Sequence, residues 1–211
     1  MARSVMARSR LALIVALGAL VAGHRAGAQD TRLAARLDKP TFAAVNAIVD
    51  SARHAKLPTA PLVDKALEGA AKGFDGTKIT SAVHQTMLRM GLAKRMLGPN
   101  ATADEIKVAS SALDAGVSER DLARLRNASG KRALTMPLTV LTDLIGRQVP
   151  IPTATDLVLQ LARSGLKDSE YALFQRNVRA DIDHGADPAA AATTRARGLV
   201  LRGPGGSKPT E

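Results

Sequence analysis

One joint recurs along this chain and limits what it can fold into: a helix-ending residue, then an apolar residue, then Ser, Thr, Pro, Asp or Lys opening a new helix. It is seen at Lys56-Leu57-Pro58-Thr59, Gly116-Val117-Ser118, Gln148-Val149-Pro150, Gly165-Leu166-Lys167-Asp168 and Gly185-Ala186-Asp187-Pro188. Glycine takes the left-handed conformation that closes a helix, and the apolar residue after it packs back on the last turn. The next Ser, Thr or Asp accepts from the free N–H groups of the following helix. Thr102 with Glu105, Ser118 with Asp121 and Thr153 with Asp156 have the spacing of capping boxes. Such joints describe short helices folding back on one another.

Between the joints the apolar residues recur at helical intervals. Phe42, Val45, Val49 and Ala52 share one face, as do Ile79, Val83, Met87 and Met90. The same holds for Leu134, Leu138, Leu141 and Ile145, and for Tyr171, Phe174, Val178 and Ile182. Only three Phe and one Tyr occur, with no Trp and no Cys, while Ala and Leu dominate. That composition favours helix over sheet. The fold class expected is all-α, an array of short antiparallel helices, either α-solenoid-like or a compact bundle. Nine helices are predicted near 41–54, 60–72, 77–97, 102–115, 119–129, 135–146, 154–164, 169–184 and 188–197.

Two segments resemble each other. Thr102-Ala103-Asp104-Glu105-Ile106 leads to Gly116-Val117-Ser118 and closes at Arg126-Asn127, and Thr153-Ala154-Thr155-Asp156-Leu157 leads to Gly165-Leu166-Lys167 and closes at Arg176-Asn177. With a more diverged copy between Phe42 and Gly98, the helical domain over 41–197 reads as about three repeats of a three-helix unit. Residues 29–40 form a lead-in segment. The Gly/Pro-rich stretch 198–211 is expected to be disordered, since it has too few apolar residues to pack.

Residues 1–28 read as a signal peptide: Arg3, Arg8 and Arg10, then the apolar run Leu11 to Ala22, then Ala26-Gly27-Ala28, with cleavage expected between Ala28 and Gln29. The expected location is therefore periplasmic or secreted, with no transmembrane segment in the mature chain. The leader carries four of the 30 basic residues and none of the 19 acidic ones, so the net charge of +11 falls to +7 on its removal. The absence of cysteine removes thiol catalysis and thiolate metal sites.

From Asp75 to Asp104 there is no intervening acid, but Lys78, Arg89, Lys94 and Arg95 are present. These four are the candidate binding residues, a basic face that could meet an envelope protein or an anionic envelope polymer. Scarce aromatic rings count against saccharide grooves and single-strand nucleic-acid platforms, so nucleic acid is not an expected partner. No cofactor is implied. No nucleophile elbow, phosphate-binding loop or His-Glu-x-x-His pair occurs. The function expected is that of an exported, non-enzymatic helical-repeat protein.

The alternative is an enzyme or metal protein whose site is assembled from dispersed Asp and His residues in a helical cleft. Asp181, Asp183 and Asp187 flank Gly185 and offer oxygen ligands to a divalent cation, although the spacing departs from that of a calcium loop. Helix capping by Asp187 and chain reversal at Gly185 account for the same residues. His54, His84 and His184 lie on three different predicted helices and would have to converge. Met87, Met90 and Met96 are assigned to packing. Asn100-Ala101-Thr102 and Asn127-Ala128-Ser129 match glycosylation sequons.

Overall fold

A computed structural model describes residues 31–202. The expected leader lies outside the described residues, as does the last part of the expected tail. Among the described residues every regular element is a helix. After a helical turn at 31–34, nine helices follow: α1 (Lys39–His54), α2 (Ala60–Ala71), α3 (Gly76–Leu97), α4 (Ala103–Asp114), α5 (Glu119–Ser129), α6 (Thr135–Gly146), α7 (Ile151–Arg163), α8 (Asp168–Asp183) and α9 (Pro188–Arg202). No described helix is long and apolar enough to cross a membrane.

The joints form as their residues dictate. Lys56, Gly116, Gln148 and Gly185 all have positive φ, at 54°, 93°, 68° and 92°. The N–H of the residue after each reaches back to a carbonyl five residues earlier: Leu57 to Ala52 at 2.9 Å, and Val117 to Ala112, Val149 to Leu144 and Ala186 to Asp181 at 3.0 Å. Leu57, Val117, Val149 and Leu166 are buried, so at four of the five joints the apolar residue packs back on the structure as expected, while Ala186 at the fifth is exposed. A further joint of the same kind, at Gly73-Phe74, closes α2 through a 3.0 Å bond from the Phe74 N–H to the Gly69 carbonyl.

The described residues divide into two compact units, one up to Thr86 and one from Met87. In the first, Val45, Val49 and Ala52 of α1, Leu62 and Ala66 of α2 and Ile79 of α3 are buried. Close approach between elements there depends on small residues. A Cβ at Gly69 would lie 2.9 Å from Ile79 Cγ1, and one at Gly76 would lie 2.0 Å from Thr41 Oγ1.

In the second unit, α4 packs on α6, α5 on α7, α6 on α8 and α7 on α9, with further contacts of α6 with α7 and of α8 with α9. The two central helices, α6 and α7, are also the ones buried on most sides. Pro137, Leu138, Val140, Leu141 and Leu144 of α6 are buried, as are seven residues of α7. A helix apolar around most of its circumference is stable only when surrounded. Packing recurs here at every second helix, not at the third.

Three boundaries differ from expectation. Helix α7 starts at Ile151 and not at 154, because Pro152 at its first turn needs no N–H partner and has a φ suited to helix. Thr153 therefore lies within the helix and the capping box expected there does not form. Helix α1 starts at Lys39, within the expected lead-in, for a similar reason. Asp38 Oδ1 accepts from the Thr41 N–H at 2.8 Å, and Pro40 occupies the first turn. Helix α9 continues to Arg202, five residues beyond the expected end at 197, since Leu199, Val200 and Leu201 continue the helix past Gly198.

Candidate functional site

The second unit carries a polar cleft of about 840 Å³. It lies between the α3–α4 turn, which supplies Asn100, and the end of α5 with the following turn, which supply Arg126, Asn127, Lys131 and Arg132. Glu105 of α4 forms part of its wall.

Glu105 organises this region. Its N–H donates to Thr102 Oγ1 at 3.2 Å, and its Oε2 accepts from the Thr102 N–H at 2.9 Å, completing the capping box. The other oxygen accepts from the Leu134 N–H at 2.8 Å, at the start of α6, and lies 3.7 Å from Arg126 Nη1. The residue is only 4% exposed. Burial raises the pKa of its carboxyl, but the hydrogen bonds from Thr102 and Leu134 and the charge of Arg126 outweigh that and hold it below the ordinary value. The carboxylate is thus fully used inside the protein.

The two guanidiniums of the cleft are partly engaged by the backbone. Arg126 Nη2 donates to the carbonyls of Gly130 and, at 2.7 Å, Arg132. Arg132 Nε donates to the Ser129 carbonyl at 3.1 Å, and its Nη2 donates to those of Ala128, at 3.1 Å, and Ala162. Arg132 thereby closes the carbonyl ends of both α5 and α7, where a cation also meets the negative pole of each helix. Lys131 is exposed and forms no ion pair among the described residues, and the carboxamides of Asn100 and Asn127 form no hydrogen bond among them. The side chains with no partner among the described residues are therefore one ammonium and two carboxamides, while Arg126 and Arg132 keep their charge and further N–H groups.

A second concavity, of about 730 Å³, opens in the first unit between Pro40, Ala44 and Ile48 of α1 and Thr77, Thr80 and His84 of α3. His84 forms no hydrogen bond among the described residues. Asp38, at one end of this groove, is committed to the Thr41 N–H, which keeps its pKa low.

The residues singled out from sequence are dispersed. Lys78 is exposed, its ammonium 3.8 Å from the centre of the Phe74 ring. Arg89 pairs with Asp114 at 3.1 Å. Lys94 is partly buried and Arg95 exposed. At about 100° per residue, Arg89, Lys94 and Arg95 leave α3 on three different sides.

Asp181, Asp183 and Asp187 do not gather around a cation. Asp181 receives two 2.6 Å hydrogen bonds from Arg195, a pairing of α8 with α9 that holds its pKa below the usual range. Asp183 lies 3.7 Å from Arg179, and Asp187 accepts from the Ala190 N–H at 2.8 Å at the start of α9. Among the described residues no group of three or more His, Cys, Asp or Glu could hold a metal ion. His54 and His184 turn Nδ1 toward carbonyls of their own helices, those of Asp50 at 2.8 Å and Ala180 at 2.6 Å.

Sequence reasoning missed the cleft. It identified Thr102 with Glu105 as a cap and Asn100 and Asn127 as sequon residues, but had no means of bringing them together with Lys131. Their juxtaposition comes from tertiary contacts such as the bond from Leu134 to Glu105, which spans 29 positions, and the approach of Arg126 to Glu105. The density of Arg120, Arg124, Arg126, Lys131 and Arg132 was the available signal. The class defined by fold and site is an all-α protein of short helices with a polar, basic cleft. Compared with protein-family models, with characterised proteins and with solved structures, the chain matches none.

Proposed function

We propose that this protein is an exported, non-enzymatic interaction protein that binds an anionic group of an extracytoplasmic macromolecule in the cleft of its second unit. The observation that carries this reading is the free ammonium of Lys131 beside the carboxamides of Asn100 and Asn127. The surrounding backbone is held by Glu105, Arg126 and Arg132, so the site is formed before a ligand arrives, which lowers the ordering cost of binding. Lys78 and Arg89 are less available than the sequence implied, one resting over a ring and the other paired with an acid. The packing of every second helix in the second unit supports a stacked-helix array, an architecture suited to interaction surfaces. Export rests on the basic and apolar leader before Gln29.

The test is binding of the purified protein to a poly-glutamate chain across a salt titration. Lys131→Glu is expected to weaken binding at least about tenfold at low salt. At about 0.15 M salt, joint replacement of Lys78, Arg89, Lys94 and Arg95 by Gln is expected to leave it within about twofold, because these side chains do not line the cleft and more distant charges are then screened. The opposite pattern returns the contact to α3. Export is tested separately by cell fractionation and by the mass of the mature N-terminus, expected to begin at Gln29.

A further inference from the structure

We infer that the ligand of this cleft is an extended acidic peptide segment of a partner protein, an inference that rests on the anion-binding reading and narrows its chemistry. Three features select this class. The first is the donor and acceptor set. Each carboxamide, of Asn100 and Asn127, offers an N–H and a C=O in the arrangement of a peptide group, and so complements the exposed backbone of an extended chain.

The second is charge density. Arg126 and Arg132 spend hydrogen bonds on five carbonyl contacts, and Glu105 adds a negative charge to the wall. Arg126 and Arg132 keep their positive charge while bonded to neutral carbonyls, so with Lys131 three cations face the single carboxylate of Glu105, a modest and spread-out positive excess. The cleft therefore suits a chain with isolated carboxylates. A polyphosphate would bring closely spaced charges beyond this excess and against the carbonyl end of α5, where negative charge is disfavoured.

The third is the lack of a stacking surface. Between the polar side chains the cleft is lined by Leu97, Pro99, Ala101 and Ala133, with no aromatic ring. Aliphatic surface of this kind accepts peptide side chains but gives sugars and bases no ring to stack on. Its volume of about 840 Å³ admits a short segment.

The experiment compares three fluorescein-labelled probes by anisotropy at one salt concentration: an amidated peptide alternating Gly and Glu, a polyphosphate, and an oligogalacturonate. The peptide is expected to bind saturably and at least about tenfold more tightly than either alternative. Lys131→Ala and the double variant Asn100→Ala with Asn127→Ala are each expected to weaken it at least about tenfold, with helical content unchanged by circular dichroism. Peptide binding that ignores both variants, or that is no tighter than that of the other probes, overturns the inference. Binding of polyphosphate or oligogalacturonate that depends on Lys131, without peptide binding, overturns the peptide assignment and leaves the anion cleft standing. Failure of all three probes overturns both.

Discussion

At the scale of the residue, the side chains with the greatest structural consequence are those whose surroundings leave no substitute. Glu105 ties the start of α4 to the start of α6 and to Arg126. Glu105→Gln keeps the shape but replaces charge-assisted hydrogen bonds with neutral ones, for an expected loss of about 1.5–3 kcal/mol in urea unfolding. The folded carboxyl titrates below its ordinary value of 4.5, so its stabilisation is complete above that value and is lost as pH falls through the folded pKa. The difference between wild type and variant is therefore expected to shrink in acid, and a gap independent of pH would contradict this account. Gly76 is constrained by space. Gly76→Ala places a methyl group 2.0 Å from Thr41 Oγ1 and is expected to cost about 1–3 kcal/mol, with partial recovery when Thr41→Ala is added. A simple rise in helix propensity would instead stabilise the single variant, so a thermal melt separates the two.

At the scale of the element, the joints and caps were the most legible part of the sequence, because each is a local contract among four to six residues. Ser118 and Thr102 cap as their spacing requires, through bonds from the Asp121 N–H at 3.1 Å and the Glu105 N–H at 3.2 Å. Thr153 has the same spacing to Asp156 and caps nothing, since the proline before it lets the helix begin earlier. Spacing alone does not weigh a cap against a favourable N-terminal proline. Gln148 holds the left-handed position that glycine fills at Gly116 and Gly185. Gln148→Gly is accordingly expected to raise stability by about 0.5–1 kcal/mol, read as a higher urea midpoint. Arg132→Ala removes the donor shared by the ends of α5 and α7 and is expected to cost about 1–3 kcal/mol. Hydrogen exchange should then accelerate in the last turns of both helices, and an effect confined to α5 would refute the shared closure.

At the scale of the whole molecule, the helical class followed from apolar spacing and from the shortage of β-branched and aromatic residues, and eight of the nine expected helices start within two residues of their expected positions. The site did not follow. Lys78, Arg89, Lys94 and Arg95 stood out because sequence shows a local shortage of acids, but it cannot show that Asp114 returns to Arg89. Asn100, Asn127 and Lys131 were individually visible, yet it takes tertiary contacts, the bond from Leu134 to Glu105 and the pairing of Arg126 with Glu105 among them, to bring their segments into one cleft. Local chemistry specified the elements, and distant partners specified where the free polar groups would gather.

The buried Tyr171 gives the second unit a natural reporter. It is the one tyrosine of a chain without tryptophan, so the protein's near-ultraviolet absorption comes almost wholly from a phenol in α8. Burial raises its pKa far above that of a solvated tyrosine, and the phenol resists ionisation while the surrounding helices hold. Folding stability linked to it is complete below the ordinary value of 10 and declines as alkali is raised toward the folded pKa. The phenolate band therefore serves as an optical alarm for the opening of this half of the protein, with no label introduced.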